Sequence, residues 1–226
     1  MTDILVVDVS SANALGAAPG RASLQDDLYW AWLAQRGVRG AIVESGIGND
    51  GVNLDMAQQL ADIAAAGLIP GLYPFIYPLP ADGVHPNRAP ADQARLHWSQ
   101  APKLAGPHLP TFCDAEFPTP AAFARWGCTP LQIRAWLTAY RSTYSALSGE
   151  TMGLYSYPDW LAETGYDPGD GPRWMAGDHA TPGAILWQMT GHELMVPTRS
   201  GRPPVKTDVS LFAGTEADWA RFVGIT

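Results

Sequence analysis

Positive charge is scarce in this sequence. Its 226 residues include 14 lysines and arginines against 22 aspartates and glutamates, which gives a formal net charge of −8. The few cations form no basic run, so a surface that neutralises phosphate groups is not expected. We therefore expect neither nucleic acid nor an anionic membrane as a partner, and a neutral or cationic partner fits better.

Cysteines and metal-ligand spacings are also rare. The two cysteines, Cys113 and Cys128, form neither a C-x-x-C redox pair nor a zinc pattern, although one disulfide is an alternative to two free thiols. The five histidines are scattered and show no H-E-x-x-H spacing. We expect two buried free thiols, no metal and no cofactor.

Long apolar runs are missing as well. No stretch approaches the ~20 residues of a membrane span, and MTDILVVDVS is too short and too acidic for a signal peptide. We therefore expect a chain that is made in the cytoplasm. With 46% hydrophobic and 16% charged residues, it can bury one sizeable core or at most two small ones. We expect a monomer with a single domain over residues 1–226.

Short apolar runs alternate with helical patterns in the first two thirds of the chain. Apolar residues at helical spacing predict helices around 27–35, 56–66, 91–99 and from Pro130 onward, where Thr129 is a plausible N-cap. The runs predicted as strands are residues 4–9, 40–45, 68–75, 109–116 and 152–157. Such alternation indicates a parallel sheet covered by helices. The last third has strand-like runs and turns rich in Gly and Pro, so an α/β, TIM-like barrel with a helix-poor final third fits.

Acidic residues stand at the ends of the predicted strands. Asp8 and Glu44 close the first two runs, Asp114 and Glu116 close the fourth, and Asp208 opens or lies within the last. In a parallel barrel the carboxyl ends of the strands carry the chemistry. Residues two apart in a strand face the same side at ~6.6 Å, so Asp114 and Glu116 should share a pocket. Two acids this close are coupled, and at least one should keep its proton near neutral pH.

A protonated carboxyl group beside an ionised one is what glycoside hydrolysis requires. Aromatic residues near the strand ends offer flat surfaces for sugar rings, and these are Tyr73, Phe75, Tyr77, Tyr155, Tyr157 and Trp187. Three other interpretations stay open. An isolated D-x-E is often only a solvated turn. The acids are also suitable Mg²⁺ or Ca²⁺ ligands for a barrel phosphodiesterase, although basic residues for phosphate are lacking. A non-catalytic glycan-binding or virion structural barrel is the third.

The order of the local motifs resembles that of the family 25 glycoside hydrolases, the lysozymes that cut peptidoglycan. VVDVSS resembles the first strand of the family, LPTFCDAEF its catalytic D-x-E strand and GLYSYPDWL its tyrosine-bearing strand. ILWQMTG is similar to the W-Q-[aromatic]-T segment, and TDVSLFAG to the closing D-x-[NS]-x-F-x-G. One departure is that IVESGIGND lacks the lysine of the usual K-x-[ST]-E-G.

This resemblance implies a barrel of eight strands with about five helices. It implies that Glu116 is the proton donor, that Asp114 is the second acid, and that Asp8 and Asp208 frame the floor of the groove. Tyr73 and Trp187 match aromatic residues that line the groove in this family. Together with the strand-end aromatics Phe75, Tyr77 and Tyr155, they are the substrate-binding residues that we expect.

The implied reaction is cleavage of the β-1,4 bond between N-acetylmuramic acid and N-acetylglucosamine in peptidoglycan strands. Asp114 would act either as a nucleophile or by orienting the 2-acetamido group of the substrate. We expect one catalytic domain without a separate wall-binding domain, in a phage-type lysin that is released through a holin or carried in a virion.

Overall fold

The computed structural model describes residues 3–10, 27–49, 51–80, 88–169, 171–198 and 204–225. Within these ranges the α-helices are α1 (Asp27–Gln35), α2 (Met56–Ala65), α3 (Pro90–Gln100), α4 (Pro130–Ser148), α5 (Pro158–Thr164) and α6 (Glu216–Phe222). The strands are β1 (Leu5–Val9), β2 (Val38–Ile47), β3 (Gly51–Val52), β4 (Ile69–Phe75), β5 (Phe112–Asp114), β6 (Gly153–Ser156), β7 (Arg173–Gly177), β8 (Leu186–Val196) and β9 (Val205–Phe212). Two short 3₁₀ turns, Pro120–Ala122 and Ala124–Trp126, lie between β5 and α4.

Eight of the strands form a closed barrel. Strands β1, β2, β4, β5, β6, β7 and β8 pair in that order and run parallel to one another. Strand β9 then pairs antiparallel with both β8 and β1 and closes the barrel, whereas β3 only extends the edge of β2. The predicted eight-stranded TIM-like barrel is confirmed, with one antiparallel strand.

The helices cover the outside of the barrel, and local chemistry favours both ends of the longest described helix, α4. Helix α4 begins at Thr129, whose side chain forms a reciprocal capping box with Gln132, and Pro130 occupies the first turn. It ends at Gly149, which has a left-handed φ of 78°. The described residues form six α-helices, where the resemblance implies about five. After α5 the described residues contain only α6, so the final third is helix-poor as predicted.

The interior of the barrel is filled by one large side chain from each strand. These residues are Val6, Ile42, Tyr73, Phe112, Tyr155, Trp174, Leu186 and Phe212. Because side chains alternate along a strand, the residues between them pack outward against the helices. Val7 and Val9 pack beside α1 and α2, while Cys113 and Ala115 pack beside α4. This alternation decides which residues face the ends of the barrel.

The cysteines and the fourth predicted strand have also been assigned a place in the fold. Cys113 and Cys128 are both free and buried, as predicted. The strand predicted over 109–116 is shorter, because ladder pairing is assigned only from Phe112 to Asp114. The Ala115 N–H still donates to the Tyr155 carbonyl at 2.9 Å, so Glu116 lies just beyond the paired backbone. None of the helices in the described ranges has the length and apolar character that a membrane crossing requires.

Candidate active site

A cavity of about 300 Å³ lies at the carboxyl ends of the parallel strands, and every one of the eight barrel strands contributes to its wall. The lining residues are Asp8, Ser10, Glu44, Ile47, Tyr73, Phe75, Asp114, Glu116, Tyr155, Trp174, Gln188 and Asp208. All four predicted catalytic acids are therefore brought together in one place. A larger cavity of about 710 Å³ lies at the opposite end of the barrel, near His108 and Arg173, and contains none of these acids.

Strand alternation explains why the acids meet. On β1, Val6 faces the barrel core, so Asp8 follows on the same side one step nearer the carboxyl end. On β5, Asp114 follows Phe112 in the same way, and Glu116 continues the direction beyond the strand. Asp8 is paired directly opposite Asp208 across the β1–β9 ladder.

Asp8 and Asp114 form the buried part of the acid cluster. They are only 9% and 6% exposed, and Asp8 Oδ2 and Asp114 Oδ1 are buried without a hydrogen-bond partner. Burial, followed by the charges of Asp208 and Glu116, raises the pKa of Asp8 well above its usual range. Burial, followed by the charges of Glu116, Asp8 and Glu44, does the same to the pKa of Asp114. Both carboxyl groups therefore resist ionisation.

Glu116 and Asp208 are less deeply placed, because each is half-buried. Burial, together with the nearby charge of Asp208, raises the pKa of Glu116. Burial and the charge of Glu193 raise the pKa of Asp208, while Lys206 opposes them. The site thus combines two buried carboxyl groups with two that reach solvent. All four bind protons more strongly than free carboxyl groups do.

Among the residues that the structure describes, the cavity wall contains five carboxyl groups and no lysine, arginine or histidine. Such a wall repels phosphates and stabilises positive charge that develops on a bound substrate. Among the described residues, no group of three or more His, Cys, Asp or Glu is arranged to hold a metal ion. The arrangement is suited to acid chemistry on an uncharged substrate.

Aromatic rings form much of the remaining wall. Tyr73, Phe75 and Tyr155 line the cavity as the sequence predicts. Trp174 also lines the cavity, and its ring centroid lies 4.4 Å from that of Tyr155. Its indole N–H donates to Ser210 Oγ at 2.9 Å. The hydrogen bond crosses the barrel interior and fixes the orientation of the indole.

Three of the six predicted aromatics do not line this cavity, and these are Tyr77, Tyr157 and Trp187. Tyr77 packs between Phe75 and Phe117, with ring centroids at 5.5 and 5.0 Å. Trp187 is partly buried, and its indole N–H donates to the Gly177 carbonyl at 2.8 Å. Their contact with substrate stays a prediction.

Several of the lining residues were not predicted as site residues from the sequence. Trp174 and Gln188 were not predicted, and Glu44 was noted only as an acid at a strand end, yet all three face the cavity. Gln188 lies two residues after the core residue Leu186, so alternation along β8 was the signal that could have found it. Its Oε1 is buried without a hydrogen-bond partner.

A closed α/β barrel with clustered carboxyl groups and aromatic walls at its strand ends is the arrangement of a barrel glycoside hydrolase. The family described as "Glycosyl hydrolases family 25" matches residues 21–193, which is more than half of the chain. The chain belongs to this family and is a glycoside hydrolase of the lysozyme type. The match includes Asp114 and Glu116, whereas Asp8 and Asp208 lie outside the matched residues and join them through the fold.

Solved structures of lysozymes have the same fold. The bacterial lysozyme of Streptomyces coelicolor has a TM-score of 0.75 at 18% identity, with 100% of each chain covered. The family GH25 lysozyme of Aspergillus fumigatus has a TM-score of 0.74 at 16% identity, covering 98% of this chain and 99% of its own. The CTP1L endolysin has a TM-score of 0.64 at 18% identity, covering 98% of this chain and 70% of its own. The search of curated proteins found no match.

Proposed function

We propose that this glycoside hydrolase is an N-acetylmuramidase that cleaves the β-1,4 bond between N-acetylmuramic acid and N-acetylglucosamine in peptidoglycan. The observation that carries the proposal is the cavity itself, in which five carboxyl groups and four aromatic rings of the described residues converge. A cavity of this kind suits an uncharged sugar whose transition state becomes positive. The lysozyme and endolysin names of the structural relatives agree with a cell-wall substrate and with a phage-type lysin.

Glu116 is our candidate for the general acid. It must give a proton to the leaving oxygen and later exchange protons with water, so it has to reach both the cavity and solvent. Its side chain is half-buried and lines the cavity, and burial raises its pKa. A larger fraction of the group is therefore protonated near neutral pH than for a free glutamate.

Asp114 is our candidate for the second carboxylate. It is almost fully buried two residues before Glu116, at the end of β5. Its ionised form either attacks the sugar carbon or orients the 2-acetamido group of the substrate. Asp8 and Asp208 flank it as the acids that frame the floor.

The crowding of acids also gives a reason for catalysis. In the resting cavity, each negative charge raises the cost of ionising its neighbours. Positive charge that develops on the sugar ring relieves this repulsion, and it does so more strongly in the transition state than in the ground state. Interactions that strengthen only in the transition state are the ones that raise kcat.

Reducing-end analysis of digested peptidoglycan tests the proposal. Purified cell wall is digested, the new reducing ends are reduced with borohydride, and the resulting sugar alcohols are identified after acid hydrolysis. A muramidase yields the alcohol of muramic acid, whereas the alcohol of glucosamine would show that the other bond is cut. The digestion is repeated in EDTA, where we expect undiminished activity. Loss of activity in EDTA with recovery in Mg²⁺ would favour metal-dependent phosphodiester chemistry.

A further inference from the structure

Four aromatic side chains follow one another from the cavity to the protein surface. They are Phe75, Tyr77, Phe117 and Trp126, which we call the aromatic strip. Their successive ring centroids are 5.5, 5.0 and 5.2 Å apart, with interplanar angles of 85°, 60° and 71°. Each ring therefore contacts the next at its edge, which is a favourable geometry for aromatic pairs.

The inner part of the strip is fixed by the catalytic end of the barrel. Phe75 is itself part of the cavity wall, and Phe117 directly follows Glu116 in the chain. The Tyr77 ring lies on the backbone of Gly48, where an added Cβ would come within 2.2 Å of it. Gly48 also has a left-handed φ of 59°, so a side chain is excluded there on two grounds.

The outer end of the strip is Trp126, in the 3₁₀ turn that follows the catalytic strand. It is 42% exposed, so part of its ring is open to solvent. Its edge contact with Phe117 holds the ring at the outer end of the strip. Together these residues form a continuous row of uncharged rings, half-buried at Phe75, Tyr77 and Phe117, that begins at the cavity wall and ends in solvent.

We propose that the aromatic strip binds sugar units of the glycan strand outside the cavity, with Trp126 as the outermost contact. This inference rests on the proposed function, because it takes the substrate to be a β-1,4-linked amino-sugar polymer. The cavity of about 300 Å³ is at the small end of ligand pockets, so a polymer must continue past it onto the surface. The strip is continuous with the cavity and carries no charge, which suits the apolar faces of neutral sugar rings.

Substrates of different length test this inference. Trp126→Ala should lower kcat/KM on long peptidoglycan strands about tenfold, which corresponds to ~1.4 kcal/mol. The same variant should act like the wild type on a short aryl glycoside that fills only the cavity. Trp126→Phe keeps a flat ring and should retain most of the activity on long strands. Leu147→Ala is the matched control, because Leu147 is 40% exposed at the far end of α4, and it should change neither reaction.

Binding without cleavage separates this inference from the proposed function. Glu116→Gln and the double variant Glu116→Gln/Trp126→Ala are compared by calorimetry with intact strands and with a single disaccharide. We expect the double variant to bind strands more weakly and the disaccharide equally. If the single and the double variant bind strands equally well, the strip does not bind glycan, whatever bond the enzyme cuts. The same conclusion follows if Trp126→Ala lowers kcat/KM equally on long and short substrates. If the loss of Trp126 weakens strand binding but the wild-type enzyme releases no muramic-acid ends, only the proposed function is overturned.

Discussion

Replacing Asp114 by asparagine should stop catalysis and yet make the protein more stable at neutral pH. The carboxyl group is 6% exposed, one of its oxygens has no hydrogen-bond partner, and three other acids lie near it. An asparagine has nearly the same shape but carries no charge to bury. The charge that the reaction needs is therefore one that the folded chain holds at a cost.

The sign of the effect follows from the pKa of Asp114, which folding raises. A carboxyl group whose pKa is higher in the folded chain binds more protons there than in the unfolded chain, so stability falls as pH rises. The loss begins near the unfolded pKa of about 3.9 and grows until the folded pKa is passed. A difference of one pKa unit already corresponds to about 1.4 kcal/mol. For a chain of this length, that is roughly 3–5 °C in Tm.

Thermal unfolding at a series of pH values measures the effect. Asp114→Asn should unfold at the same temperature as the wild type near pH 4 and at least a few degrees higher near pH 7.5. Asp3→Asn is the matched control, because Asp3 is exposed and lies before β1, away from the cavity. If Asp114→Asn folds normally but gains no stability over the wild type as pH rises, ionisation of the cavity acids does not destabilise the fold. Our account of the site would then be wrong.

Two further predictions concern the proposed acid and the thiols. Glu116→Gln should lower cleavage of peptidoglycan by about 10²-fold to 10⁴-fold, and an aryl glycoside with a good leaving group, which needs little protonation, should restore much of the rate. Equal loss on both substrates would argue against Glu116 as the acid. Alkylating reagents should leave the native activity intact, because Cys113 is fully buried and burial raises the pKa of its thiol to about 12. Rapid inactivation that substrate prevents would contradict this.

Much of the fold was predictable because the barrel depends on local patterns. The apolar runs that end in Asp8, Phe75 and Asp114 are strands whose outward residues meet helices, and alternation along the chain contains that information. The start of α4 was predictable from Thr129 and Pro130 for the same reason. The antiparallel direction of β9 was not predictable, because it depends on how the two ends of the sheet meet.

The acid cluster was easier to predict than the aromatic wall. Carboxyl groups at the ends of apolar strands are conspicuous, since burying them is costly. Aromatic residues occur both in the core and in binding sites, so Trp174 and Trp187 cannot be told apart by type. The structure separates them by direction, because Trp174 lies in the barrel interior and Trp187, thirteen residues later, bonds to the backbone of Gly177.

The direction of β9 connects the fold to the chemistry. Strand β9 runs antiparallel to β1, so its later residue Phe212 packs in the barrel core while Asp208, four residues earlier, reaches the cavity opposite Asp8. If β9 ran parallel to β1, the order would be reversed, and Phe212 would be nearer the catalytic end than Asp208. The antiparallel closure therefore supplies a half-buried acid whose charge raises the pKa of both Asp8 and Glu116. The same strand that closes the barrel thus helps to keep the proposed general acid protonated.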